Sequence, residues 1–412
     1  MNGFENLQNM QPALFPIFAG IDSQVKKNLN KLLTAMQRHK LGSHHFAGFN
    51  GYGHDDMGRE VLDRVFADAM GAESAAVRVQ FVSGTHAIAC ALFGVLRPGD
   101  ELLSVVGAPY DTLEEVIGIR GEQQGSLREF GVSYRQLDLT STGEVDWDAL
   151  SQAIRPETRM VLIQRSCGYS WRPSLAIADI ERIVASVKRQ NANTICFVDN
   201  CYGEFVEEQE PTDVGADLMA GSLIKNPGGT IVNAGGYIAG KAEWVEAAAC
   251  RLTSPGIGRA GGAMLGQSRL MFQGLFLAPQ MVGEAIKGTY LAAKLFHELG
   301  YPVNPLPQAP RRDVIQAIKL GSPEKVIAFC RAIQKWSPVE SYLDPVPDSM
   351  PGYESKLVMA GGSFIDGSTS ELSADGPLRE PYVVFCQGGT HWTHVAIALE
   401  AAAEAVGSAK DN

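Results

Sequence analysis

No stretch of this sequence concentrates lysine or arginine. Its 35 basic residues face 46 acidic ones, leaving a formal charge of −11, and no basic run occurs. A surface that grips a phosphate backbone needs clustered positive charge, so nucleic acid is excluded as a partner and a small molecule is favoured. C-x-x-C pairs are missing as well. The seven cysteines, at 90, 167, 196, 201, 250, 330 and 386, are odd in number. That excludes a disulfide framework and a zinc knuckle and suits a reducing compartment. The start, MNGFENLQNM, has neither the basic residues nor the apolar core of a leader. The apolar stretch near 263–283 is broken by Gln267, Arg269, Gln273, Pro279 and Gln280. The expectation is a cytoplasmic protein that does not enter the membrane. Internal repeats and low-complexity tracts are also absent.

What is present is an alternation. Hydrophobic residues make up 45% and charged residues 20% of the chain, the balance of a folded globular protein. Residues 22–40 place Val25, Leu29, Leu32, Leu33 and Met36 at helical spacing, an amphipathic arm. From about 75 to 240, β-prone runs alternate with helical ones: VRVQFV (77–82), ELLSVV (101–106), RMVLIQ (159–164) and TICFVD (194–199) are the strands. Such alternation predicts a parallel sheet covered by helices on both faces. A long helical region (263–298) and the proline-rich NPLPQAPRR (304–312) lead into a C-terminal portion with a helix–strand–helix pattern. The division predicted is an N-terminal arm over 1–44, a large domain over 45–300 and a small domain over 301–412.

Ligands of parallel sheets bind beyond the carboxyl ends of the strands. Four features stand there. Ser83, Gly84 and Thr85 follow a strand and open a helix, where free N–H groups and hydroxyls suit a phosphate; a simple N-cap is the alternative. Asp199 ends an apolar strand, where a carboxylate needs a cation or proton donor such as a protonated ring nitrogen. Lys225, in SLIKNPGG, lies among apolar residues and glycines. Desolvation there should depress its pKa and free the amine to form a Schiff base with an aldehyde. The glycines that follow, 228, 229, 235 and 236, are expected to let the backbone approach a flat ligand, so that a β-branched residue at Gly228 or Gly229 impairs ligand binding more than folding. Tyr110 closes the set as an aromatic plate. Pyridoxal 5′-phosphate needs all four.

Their order along the chain is that of the fold type I pyridoxal-phosphate enzymes, which the sequence resembles from about residue 45 to the C-terminus. FNGYGHDDMGRE (49–60), FVSGTHA (81–87), FVDNCYGEF (197–205) and SLIKNPGG (222–229) are similar to the methionine γ-lyase-like family known as aluminium-resistance proteins, within the Cys/Met metabolism clan. The resemblance implies an α/β fold of the aspartate aminotransferase type, with a large, mainly parallel sheet domain and a smaller C-terminal α+β domain. It also implies that Lys225 carries the cofactor, Asp199 pairs the pyridine nitrogen and Tyr110 stacks on the ring. Ser83, Gly84, Thr85 and Ser222 would hold the phosphate, Tyr52 and Arg59 would complete the phosphate site of a neighbouring subunit, and Arg379 would bind the substrate carboxylate. Tyr52 and Arg59 depart from the compact Tyr-x-Arg spacing of the clan.

The implied activity is a carbon–sulfur lyase acting on methionine, cystathionine or a related amino acid, in a homodimer or homotetramer with shared active sites. An aminotransferase or a γ-replacement enzyme would use the same residues. A metal-binding aluminium-resistance protein without turnover is the reading from a different class, but its carboxylates should cluster and here they are scattered. His44, His45, His391 and His394 lack ligands at metal spacing. Gly51-x-Gly53 follows no strand and is no dinucleotide fingerprint. The glycine-rich segment 254–266 is expected to be a loop, near the site or merely connecting helices.

Overall fold

The computed structural model describes residues 3–122, 124–350, 353 and 355–409. A seven-stranded sheet is built from β1 (Ser74–Arg78), β2 (Glu101–Ser104), β3 (Ser133–Gln136), β4 (Thr158–Gln164), β5 (Ile195–Asp199), β6 (Leu218–Ser222) and β7 (Gly236–Gly240). Its order is β1-β7-β6-β5-β4-β2-β3. Only β7 opposes the rest, pairing antiparallel with both β1 and β6. The expected mainly parallel sheet is present, with β7 as its antiparallel strand. β6 and β7 are joined by residues 223–235, which form a single 3-10 turn at Asn226–Gly228 and no α-helix of the kind that carries a parallel crossover. The other six strands still end on one edge. The first strand also sits earlier than expected, at 74–78 rather than 77–82, so Val79–Val82 form a loop before the Gly84–Val95 helix.

Side-chain alternation along the strands explains how the sheet is covered. Leu103, Val161, Ile163, Cys196, Val198, Met219 and Tyr237 point into one core, which the Met57–Ala69, Ile177–Gln190 and Ser268–Glu298 helices share. Leu102, Met160, Leu162, Ile195, Phe197, Leu218 and Ile238 point into the other, with the Gly84–Val95 and Ala242–Leu252 helices. Successive residues of a strand face opposite ways, so each buried run feeds both layers. The Ile177–Gln190 helix shows the matching periodicity, with Ile180, Ile183, Val184 and Val187 buried. The N-terminal helix runs over Gly3–Arg38, well upstream of the expected start at 22, and carries Pro12 and Pro16 inside it. Its Leu14 and Phe18 are buried, so tertiary packing outweighs the proline penalty.

A second sheet contains β8 (Val303–Asn304), β9 (Ile315–Lys319), β10 (Leu357–Ala360), β11 (Ser373–Pro377) and β12 (Val383–Gln387), all antiparallel in the order β10-β11-β12-β9-β8. The Pro323–Lys335 helix covers one face through Val326, Phe329, Cys330 and Ile333, after an N-cap at Ser322 with proline at the first helical position. The opposite face gathers Ile315, Ala317, Val383 and Phe385 against Cys167, Tyr169 and Tyr202 of the first sheet's loops. Asp313 fastens the two sheets together: its carboxylate accepts from Ser166 Oγ (2.7 Å) and from the Ser174 hydroxyl. All seven cysteines are free, and every one except Cys250 is buried. Among the described residues no helix is long and apolar enough to cross a membrane.

Candidate active site

Strand register decides which side chains meet. Gln164 at the end of β4 pairs with Asp199 at the end of β5, and Asp199 pairs in turn with Ala220 of β6, two residues before that strand ends at Ser222. Neighbouring strands lie about 4.8 Å apart, so the residues just past these ends share one small volume. A cavity of about 250 Å³ opens there. Ser83, Gly84, Thr85, Tyr110, Asp199, Ser222, Lys225 and Arg379 all line it. Eight of the ten residues singled out from the sequence are thus brought together. Tyr52 and Arg59 are not. Tyr52 is 80% exposed elsewhere on the surface, while Arg59 is buried and donates to the Gly53 carbonyl (2.8 Å) and the Gly262 carbonyl (3.1 Å).

One end of the cavity is built for an anion. The Gly84–Val95 helix begins here, and Ser83 Oγ accepts from His86 N at 3.1 Å, so the capping role that the sequence left open for Ser83 is real. Its own hydroxyl hydrogen stays available. Among the described residues the N–H groups of Gly84 and Thr85 have no backbone acceptor, as the first turn of a helix requires. Gly84 is glycine because a Cβ would come within 3.0 Å of Ser222 Cβ. The two hydroxyl-bearing segments therefore converge on the helix terminus, where the dipole favours negative charge.

At the other end stand the carboxylate and the amine. Asp199 is 4% exposed, and its Oδ1 accepts from Cys201 N at 3.1 Å. Burial raises its pKa, although the Lys225 cation opposes the shift. Lys225 corrects the expectation of a depressed pKa. Burial by itself would lower it, but Tyr202, Cys201 and Asp199 around the amine outweigh burial and hold the ammonium above the ordinary lysine range. Tyr110 forms a wall: its hydroxyl lies 2.9 Å from Thr85 Oγ1 and its N–H donates to Gln164 Oε1 at 2.9 Å. Burial pushes that phenol up as well, so it is a neutral hydroxyl at physiological pH.

The glycines after Lys225 serve another purpose than the one expected. None lines the cavity. A Cβ on Gly228 would run into the Leu223 carbonyl, and Gly229, at φ +52, would meet the Gly274 carbonyl of the Ser268–Glu298 helix. They permit close packing of the lysine loop on a helix, so the substitutions proposed for them strike folding first.

Sequence reasoning passed over several lining residues. Tyr202 lies three positions after Asp199, with a ring 3.8 Å from Lys225 Nζ. Its backbone, at φ +71, and that of Phe205, at φ +62, occupy the left-handed region, costing on the order of 1–3 kcal/mol each. A buried clamp holds them there: Arg165 donates to Asn200 Oδ1 and to the Gly203 carbonyl, both at 2.9 Å, and Phe205 N donates to Glu210 Oε1 at 2.8 Å. Tyr169, also in the cavity wall, donates its hydroxyl to Asp375 Oδ2 at 2.9 Å, and burial raises the Asp375 carboxyl to about 6. An aromatic three to five residues beyond a strand end was the available signal for both tyrosines. Asp375 comes from the second sheet, where nothing in the pattern marks it.

A buried carboxyl, an amine that forms no ion pair among the described residues, an aromatic wall and a helix terminus whose dipole favours an anion fit pyridoxal phosphate group by group. Residues 4–407 match the methionine gamma-lyase family. The chain is 51% identical over 393 residues to the uncharacterized protein YnbB of Bacillus subtilis, spanning 94% of this chain and 93% of that one. A Listeria innocua structure, described as a candidate cystathionine beta-lyase involved in aluminum resistance, is 48% identical with a TM-score of 0.95, covering 98% of this chain and 99% of its own. The carbon-sulfur lyase involved in aluminum resistance from Clostridium novyi NT is 44% identical with a TM-score of 0.93, covering 97% and 95%. The fold reaches further, to the pyridoxal-5′-phosphate-dependent protein YhfS of Escherichia coli at 17% identity and a TM-score of 0.63, over 94% and 97% of the two chains. The chain belongs to the methionine gamma-lyase family of pyridoxal-phosphate-dependent enzymes with the type I fold.

Proposed function

We propose that this protein is a carbon–sulfur lyase acting on a sulfur-containing amino acid of the methionine or cystathionine kind. The carrying observation is the pairing of Lys225 and Asp199 in one cavity whose helix-terminus end suits a phosphate. The likeness to the Listeria cystathionine beta-lyase candidate and the Clostridium carbon-sulfur lyase supports the same reaction class.

In this reading Lys225 would hold the cofactor covalently, Asp199 would serve its ring nitrogen and Tyr110 its ring, and Ser83, Gly84, Thr85 and Ser222 would hold its phosphate. When bound, pyridoxal phosphate supplies a sink for the electron pair left on Cα when a Cα–H bond breaks. Asp199 keeps the ring nitrogen protonated, since a buried carboxylate is stabilised by the cation it faces. The free Lys225 amine would be the group that takes a proton from Cα and returns one to the product. Arg379 at the mouth offers a planar fork to the substrate carboxylate. Tyr110, Tyr169 and Tyr202 exclude water from the reacting carbon.

Shared sites between subunits belong to the same proposal. Tyr52, with its exposed ring, is the side chain offered to a neighbouring copy, and Arg59 holds the loop that presents it.

The test begins with colour. Purified protein should be yellow, borohydride should fix the cofactor on the peptide containing Lys225, and Lys225→Ala should be colourless. Methionine or cystathionine should yield a 2-oxo acid together with free thiol. Colourless wild-type protein that takes up no added pyridoxal phosphate would overturn the assignment; pyridoxamine phosphate without thiol would redirect it to an aminotransferase.

A further inference from the structure

Lys225 carries the proposed chemistry, yet among the described residues it forms no ion pair within 4.0 Å. The Tyr202 side chain lies against its ammonium, with Nζ 3.8 Å from the ring centroid and the phenol hydroxyl within reach of the amine as a hydrogen-bond partner. The ring is held from behind. It packs against Phe385, Val383, Ile315 and Ala317 of the second sheet and against Cys167. The backbone that aims it sits at φ +71, a conformation that a non-glycine residue keeps only when its surroundings impose it. Arg165, fully buried, does so through Asn200 and Gly203, and Gly203 has no room for a Cβ, which would stand 2.5 Å from Arg165 Cδ. Asn226, next to the lysine, donates to the Glu204 carbonyl at 3.0 Å and ties the two loops together.

This arrangement solves a specific problem. A lysine freed from its cofactor has four rotatable bonds and a charge in a desolvated cavity. A carboxylate in contact would hold it too firmly in place, whereas the face of an aromatic ring attracts a cation without pairing it. We propose that the Tyr202 ring is the seat on which the Lys225 ammonium rests whenever it is not bonded to the cofactor, making Tyr202 a positioning residue for that amine. The inference rests on the reading of Lys225 as the cofactor-bearing lysine. Other groups face the amine too: Asp199, Cys201 and Glu204 from the first sheet's side, Asp375 and Tyr353 from the second's. A test must therefore change the ring face and leave these in place.

Cofactor-free protein is pulsed with acetic anhydride at neutral pH, and acetylation of Lys225 is read by peptide mass spectrometry, with exposed lysines as internal standards. Tyr202→Leu would also remove the wall against Phe385, so the decisive series keeps the shape: phenylalanine, 3,5-difluorophenylalanine and pentafluorophenylalanine at position 202. Fluorine drains the negative ring face while the outline barely changes. Tyr202→Phe should label within twofold of the wild type. Labelling should then climb stepwise to about tenfold with the pentafluoro ring, a weakening of about 1.4 kcal/mol in the hold on the ammonium. A flat series in protein of unchanged melting temperature overturns the proposal. So does a tenfold rise at Tyr202→Phe alone, which would assign the effect to the hydroxyl. Should phenylalanine not be tolerated, 4-methylphenylalanine and its ring-fluorinated forms at 202 fill the volume of the hydroxyl and give the same gradient without an ionisable phenol. Pyridoxal phosphate added before the pulse should protect Lys225; lack of protection would sink the cofactor reading separately from the seat.

Discussion

Arg379 and Glu204 show how differently one side chain can matter according to where it sits. Arg379 is exposed on the cavity wall, and among the described residues its guanidinium donates to the Tyr169 carbonyl at 3.5 Å. Arg379→Ala is expected to raise KM for the amino-acid substrate by about ten- to a hundredfold while cofactor content and melting temperature stay level. Equal KM values in the two proteins would remove it from the carboxylate site. Glu204 is the opposite case. It is fully buried, accepts from the Tyr237 hydroxyl at 2.7 Å, and burial raises its carboxyl to about 8 from an ordinary 4.5. Between those two values the native state keeps a proton that the unfolded chain releases. Its stabilising share is therefore complete at low pH and is lost as pH rises through the window, by at most about 1.4 kcal/mol per unit. Glu204→Gln cannot lose that proton. Its melting temperature relative to the wild type should climb as pH goes from 5 to 8, and a constant offset in thermal scans would show that Glu204 is ionised in the fold.

At the scale of elements, the loop between β6 and β7 carries the sharpest expectation. Gly229 has φ +52 and abuts the Gly274 carbonyl, so Gly229→Val combines backbone strain with a clash. A loss of about 3 kcal/mol or more in denaturant unfolding is expected, whereas the folded fraction should bind pyridoxal phosphate as tightly as the wild type. Weaker binding without lost stability would restore the role that the sequence alone suggests for these glycines. The same loop illustrates what is legible beforehand. Continuous apolar runs such as Thr158–Gln164 and Ile195–Asp199 are readable because a strand buried on both faces has to be apolar throughout. Residues at their ends are readable because chemistry concentrates there. β7 and the contacts of Gly229 are not, since they depend on how distant elements pack against the loop. Arg59 is hidden for a similar reason: its partners are backbone carbonyls 6 and 203 residues away. Tyr202 lies in the quoted FVDNCYGEF and Tyr169 shortly after the RMVLIQ strand, but their aim comes from a left-handed backbone and from a second sheet that short-range pattern does not encode.

On the scale of the whole molecule, the cavity exists because two sheets are fastened at Asp313. Besides the serine hydroxyls, Asp313 receives the Ile315 N–H at 3.0 Å and is 3% exposed. The segment it fastens, 166–174, contains Tyr169 and forms one wall of the cavity. Asp313→Ala is expected to cost about 3 kcal/mol, because two hydroxyls lose a charged acceptor, and to raise KM more than it lowers kcat. Unchanged kinetics in a destabilised variant would confine Asp313 to stability and leave the wall positioned by other contacts.

The distribution of free cysteines gives the molecule a built-in stopwatch. Cys167 and Cys201 belong to the cavity, Cys90 and Cys196 to the first sheet's layers, Cys330 and Cys386 to the second sheet, and only Cys250 is partly open. A thiol reagent followed residue by residue under mild denaturation would time-stamp each compartment as it opens, and show whether the site loosens before either sheet or only together with them.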